Sequence, residues 1–182
     1  YGLRTYGNMP LIEPLETRES KKIRDFVIVI DTSESTAGDL VKAFLRETFG
    51  LLKTGESFFH QCNIAVMQCD DAVRELVFLH NLDELDRYAA RMTLTGGGGT
   101  DFRPAFSRID ALRADGTLRD LQGVLYFTDG KGIYPTRRPA YETAFLFLEG
   151  SAPPPDVPPW AMKLVLSPEE FLPDPAPPAI DW

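Results

Sequence analysis

Three short polar clusters carry the side chains that could do chemistry in this sequence. Asp31-Thr32-Ser33-Glu34-Ser35 comes directly after the apolar run Phe26-Val27-Ile28-Val29-Ile30, and Thr128-Asp129-Gly130 directly follows a second apolar run, 123–127. Gly99-Thr100-Asp101 closes a run of four glycines that starts at Gly96. Carboxylate and hydroxyl oxygens, completed by water, are what a hard cation of the Mg²⁺ type takes as ligands. Alternate residues of an extended turn project the same way, so Asp31, Ser33 and Ser35 can converge on one point. The glycines ahead of Thr100 let a loop backbone approach closely. Each cluster alone has a plainer reading. Ser, Thr and Asp after a strand are preferred helix N-caps, a role open to Ser35 or Thr36, and Thr-Asp-Gly is a common turn. The ordered set of three, each at the end of an element, favours a site.

Other chemistries find little support. The two histidines, His60 and His80, fall in no metal-ligand or catalytic spacing and are expected at surface or capping positions. There is no Gly-x-Ser-x-Gly elbow, and residues 96–101 lack the Gly-Lys-Ser/Thr ending of a phosphate-binding loop. An aspartyl-phosphate phosphatase would need a second carboxylate where Ser33 stands. A metal-assisted hydrolase using the same aspartates, and a structural domain whose polar strand ends are only caps, are the rival classes.

Cys62 and Cys69 flank a strand-like run, and at about 3.3 Å per residue they lie more than roughly 20 Å apart if it is one strand. They are therefore expected as reduced thiols, in a cytoplasmic protein. The net charge of −8 argues against nucleic acid or an anionic membrane as the main partner. Lys131, Arg137 and Arg138 form the notable basic group, which could touch an acidic partner beside the candidate site but is read chiefly as a solvated loop.

The elements that must position these clusters read as an α/β fold. Residues 26–30 are an unbroken β-branched run, which is how a strand buried on both faces reads. Residues 39–53 repeat apolar positions at helical spacing. Strands are expected over 63–68 and 73–79, joined by Asp70-Asp71 as an antiparallel hairpin. A short helix capped by Asn81 or Asp83 runs to about Met92, and a second spans 102–113 with Pro104 in its first turn. Further strands follow at 123–127, 143–148 and 162–166. The proline-rich stretches 152–159 and 173–178 are expected as exposed loop and tail. The order predicts a three-layer α/β/α sandwich, Rossmann-like, whose sheet is mostly parallel with one antiparallel edge strand. In such sheets ligands sit outside the carboxyl ends of the strands, where the three clusters fall. The chain divides into an N-terminal connector (1–24), one domain (25–168) and a proline-rich tail (169–182).

Asp31-x-Ser33-x-Ser35 after a hydrophobic strand, a later Thr100, and Asp129 after another strand resemble the metal-ion-dependent adhesion site of von Willebrand factor A (VWA) domains. Gly96 to Pro104, Gly-Gly-Gly-Gly-Thr-Asp-Phe-x-Pro, with Phe-Thr-Asp-Gly at 127–130 and Tyr134-Pro135 beyond it, more particularly resembles bacterial VWA-like proteins. The resemblance covers residues 24 to 168. It implies a metal-dependent protein-binding module holding Mg²⁺ or Mn²⁺, with carboxylates from Asp31 and Asp129, hydroxyls from Ser33 and Ser35, and Thr100 joining on ligation. It also implies an open coordination position filled by an acidic side chain of a partner protein. Asp101, Gly99 and Gly130 are expected beside the ligands. Glu34 stands where Gly is common in such motifs and adds a carboxylate at the rim. The relatives further imply a metallopeptidase-like domain upstream of Tyr1, and, as company rather than contact, a MoxR-type AAA+ ATPase.

Overall fold

The apolar run that precedes Asp31 becomes an inner strand of a six-stranded sheet. The computed structural model describes residues 25–33, 42, 45, 46, 48, 63–149 and 155–167. Its strands are β1 (Asp25–Asp31), β2 (Asn63–Cys69), β3 (Val73–Leu79), β4 (Leu121–Phe127), β5 (Glu142–Leu148) and β6 (Met162–Leu166). The strand order is β3-β2-β1-β4-β5-β6. β3 runs antiparallel to β2 at one edge, and every other pairing is parallel. This is the mostly parallel sheet with one edge hairpin that the sequence predicts, and Asp70-Asp71 lies in its turn.

Two helices are described in full, α1 (Leu82–Arg91) between β3 and the glycine run, and α2 (Arg103–Ala114) after it. Asn81 caps α1: its side-chain oxygen accepts from the Glu84 N–H at 2.9 Å, and the Glu84 carboxylate accepts from the His80 N–H at 2.9 Å. The exchange satisfies the Glu84 N–H, which the first helical turn leaves without a partner, and the N–H just ahead of the cap. Pro104 sits in the first turn of α2, where its missing N–H costs nothing. Of the helix expected over 39–53, Lys42, Leu45, Arg46 and Thr48 carry helical backbone, and the remainder lies outside the described residues.

Strand alternation sorts the core into two layers. Val27, Val29, Ala65, Met67, Val124, Tyr126, Phe145 and Phe147 face α2, which contributes Ala105, Phe106, Ile109 and Leu112. Ile28, Ile30, Ile64, Val66, Phe127, Ala144 and Leu146 face the other way, against Leu45 and the Leu85, Ala89 side of α1. Burial on both faces is why the inner strands show no polar alternation. In the stretch expected as exposed, Asp156 and Pro159 are exposed, while its end turns into the core. Val157 and, just beyond the stretch, Trp160 and Ala161 pack against the α2-side core, with the Trp160 ring 6.0 Å from Phe106 and 6.4 Å from Phe145. Proline bars a ladder but not a packed irregular segment, and the large aromatics decide its position. Residues 152–154 and 173–178 lie outside the described residues. No helix among the described residues is long and apolar enough to cross a membrane.

Candidate metal centre at the carboxyl ends of the strands

β1 and β4 are neighbours from which the chain departs to opposite sides, to β2 from one and β5 from the other. At such a reversal the loops diverge and leave a crevice. Asp31 ends β1 at this crevice, and Thr128-Asp129-Gly130 leaves β4 beside it.

Asp31 is fully buried. One carboxylate oxygen accepts from the Ser33 N–H at 2.9 Å and the other from the Thr128 hydroxyl at 2.5 Å. The Ser33 hydroxyl also bonds to the carboxylate. No Lys, Arg or His among the described residues forms an ion pair with it. Burial raises its pKa above the ordinary value; the hydrogen bonds from Thr128 and Ser33 oppose that rise, and the neighbouring Asp129 carboxylate adds to it. Thr128 is itself buried, and its oxygen accepts from the Gly130 N–H at 2.9 Å, so the turn after β4 is folded onto Asp31. Asp129 is half-buried and accepts from the Lys131 N–H at 3.1 Å. Tyr134 stands over this turn: its hydroxyl donates to the Gly130 carbonyl at 3.3 Å, and burial, with Asp129 and Asp31 adding, pushes its pKa up to about 12.

The glycine run approaches from the β2 side and is suspended from two polar residues there. Gln68, fully buried, accepts from the Thr95 N–H at 2.9 Å and donates to the Thr93 carbonyl at 3.1 Å. Asp70 accepts from the Gly98 N–H at 3.3 Å, while its own carbonyl accepts from the Asp101 N–H at 3.1 Å. Arg74 donates to Asp70 at 2.7 Å. Burial works against ionisation of Asp70, but Arg74 and the backbone N–H groups of Ala72 and Gly98 hold its pKa well below the carboxylate range. Gly96 is the close approach that the glycines permit, because a Cβ there would stand 2.3 Å from the Thr32 hydroxyl oxygen. At Gly99, by contrast, a Cβ would meet nothing within 4 Å.

Of the expected ligands, the structure brings Asp31 and Ser33 together and sets Asp129 on the turn whose Thr128 bonds to Asp31. Thr100 ends the suspended loop, half-buried, its methyl against Gly132, where a Cβ would lie 2.7 Å away. Ser35 and Glu34 lie outside the described residues. Asp101 binds the Arg103 guanidinium at 2.7 to 3.1 Å and accepts from the Arg103 N–H at 3.0 Å at the start of α2. Gly130 holds φ +81, and a Cβ there would collide with Pro155 at 2.3 Å and Phe147 at 2.6 Å. Thr128, Tyr134, Gln68 and Asp70 are the contributors that sequence reasoning left out of the site. Thr128 and Tyr134 sit within motifs already singled out, whereas nothing in the local pattern marks Gln68 or Asp70.

A divalent cation fits the donor set. Asp31, fully buried and without a cationic partner among the described residues, is bonded by the Thr128 and Ser33 hydroxyls, and the Asp129 carboxylate is near enough to act on it. Among the described residues no three His, Cys, Asp or Glu gather at one point, so such an ion would lean on hydroxyls and water.

Solved structures share this fold at low identity. Proximal thread matrix protein 1 from the mussel byssus aligns with a TM-score of 0.60 at 13% identity, over 82% of this chain and 44% of that one, so this chain spans less than half of its length. The SpRpn10 VWA domain aligns with a TM-score of 0.50 at 12% identity, over 80% of this chain and 89% of that one. No curated protein matches the sequence. Residues 26–167 match the family model described as VWA-like domain (DUF2201). With the family's model spanning the whole sheet from β1 to β6, the chain belongs to the VWA-like domain family.

Proposed function

We propose that the chain is a protein-binding module whose contact with its partner runs through a divalent cation, Mg²⁺ or Mn²⁺, held by Asp31, Ser33, Ser35, Thr100 and Asp129. A VWA-like fold is the framework of a protein-interaction module. The observation that carries the metal reading is Asp31, a fully buried carboxylate whose pKa burial and Asp129 raise, placed at the reversal point of the sheet. Leaving such a charge without compensation is costly, and a cation at its oxygens removes that cost. When bound, the ion supplies an incompletely neutralised positive charge at the end of the sheet, suited to a carboxylate from a partner. Thr128 and the Ser33 N–H orient Asp31 for this, and the loop hung from Gln68 and Asp70 carries Thr100 toward the same end of the sheet.

Hydrolysis lacks a comparable support. His80 follows Leu79, which pairs with Ile64, whereas Asp31 pairs with Cys69. The five-residue offset along β2 puts this imidazole about 17 Å or more from Asp31, at the opposite end of the sheet. His60 lies outside the described residues.

Thermal melts test the metal reading. The chain is stripped with EDTA, then given Mg²⁺ or Mn²⁺, beside Asp129→Ala. At ten to a hundred times the dissociation constant, an ion that binds only the folded state stabilises by about 1.4 to 2.7 kcal/mol. For this chain length that corresponds to roughly 3 to 10 °C. A shift in the wild type that disappears in the variant is expected; no shift in the wild type, or the same shift in both, defeats the reading.

A further inference from the structure

In a chain of net charge −8, the loop 130–141 carries Lys131, Arg137 and Arg138 and no Asp or Glu. It leaves directly from Asp129 and is anchored through Ile133 and Tyr134. Ile133 bridges to Asp101 and accepts from the Phe102 N–H at 3.1 Å, and the Tyr134 ring packs edge-on against Phe102 and Phe145 at 4.7 and 5.0 Å. Gly132 lies against Thr100, so the loop is continuous with the rim of the metal centre.

Between this loop and α2 lies a cleft of about 450 Å³, walled by Arg103, Phe106 and Ser107 of the helix and by Pro135, Arg137 and Arg138 of the loop. The Arg103 guanidinium is locked in place by Asp101. Arg138 pairs with Glu142 at 3.0 Å, but both side chains are more than 60% exposed (65% and 61%), and an exposed pair of this kind exchanges readily for another carboxylate. Arg137 makes no ion pair with any described residue. Asp110 is the single carboxylate in the lining.

We propose that this cleft is a second contact for the same partner and takes an acidic stretch of its chain, adjacent to the carboxylate that meets the cation. The proposal rests on the metal-dependent binding reading for that adjacency. Guanidinium forks recognise carboxylates through two parallel hydrogen bonds. A long nucleic-acid strand is the wrong polyanion, because the remaining acidic surface repels it beyond the cleft.

The probe is a fluorescein-labelled oligoglutamate peptide, with oligoglutamine as control, titrated with the full chain and read by anisotropy in EDTA and in Mg²⁺. Binding is expected in EDTA, weakening with salt and about tenfold poorer in Arg137→Ser/Arg138→Ser. Arg108→Ser/Arg119→Ser, which removes the same charge from exposed positions outside the cleft, is expected to change it by no more than about twofold. Melts of both double variants confirm that they are folded. The proposal is overturned by no binding in EDTA, by equal losses in the two variants, or by a single-stranded oligonucleotide binding more tightly than the peptide. Failure of the metal reading shows separately: binding that needs Arg137 and Arg138 yet is the same in EDTA, in Mg²⁺ and in Asp129→Ala keeps the cleft and removes the cation.

Discussion

Asp31 has no charged counterpart among the described residues; hydroxyls, one backbone N–H and the field of a second carboxylate surround it. Its folded-state pKa therefore lies above the ordinary 3.8. Between the unfolded and folded values the folded chain binds more protons than the unfolded one, so the Asp31 contribution falls as pH rises through that window and is least favourable at neutral pH. Asp31→Asn keeps the shape and removes the charge. Without metal at neutral pH the variant is expected to melt at or above the wild-type temperature, while its Mg²⁺ response disappears. A variant that melts lower in EDTA and still responds to Mg²⁺ would show that Asp31 is only a structural acceptor.

The glycine-rich loop owes its position to β2 and the hairpin turn more than to its own residues. Gln68 holds its start, Asp70 its end, and Gly96 rests on Thr32. Asp70→Ala would leave the Gly98 and Ala72 N–H groups and Arg74 without this acceptor, at a cost of about 2 kcal/mol. It is also expected to weaken Mg²⁺ binding by loosening the loop that ends in Thr100. Because the folded pKa of Asp70 is depressed, its contribution is intact above 3.8 and is lost as pH falls toward the folded value. The stability gap between wild type and variant, measured by denaturant titration, is therefore expected to be constant near neutrality and to close in acid. A gap that persists in acid would assign it to packing alone.

At the scale of the whole molecule, Gly130 joins the candidate metal centre to the core and to the segment before β6. Its left-handed backbone and the contacts with Pro155 and Phe147 leave no room for a Cβ. Gly130→Ala is expected to cost at least about 2 kcal/mol, combining backbone strain with displacement of packed side chains. That corresponds to a melting temperature lower by roughly 4 to 8 °C. A melt within about 1 °C of wild type would mean that the 155–161 segment does not bear on the site. The same architecture explains why two thin layers of apolar side chains suffice: each inner strand contributes to both at alternate positions.

The layered α/β fold, the strand positions, the edge hairpin and a cap at Asn81 or Asp83 were legible in the chain, because they follow from local periodicity and from side chains bonding to near neighbours, and the structure chose Asn81. Asp31, Ser33, Ser35, Thr100 and Asp129 were expected as a candidate set on their spacing and places at element ends, which are local facts too, and of these the structure joins Ser33 to Asp31 by a hydrogen bond. The tertiary structure alone decided that the Thr128 hydroxyl closes on Asp31, 97 residues away. It also decided that Gln68 and Asp70 carry the glycine loop, that Asp101 binds Arg103, and that Val157, Trp160 and Ala161 pack on the α2-side core. Each depends on which strands become neighbours. That order is set by the summed burial of two sheet faces, which no short window of sequence contains.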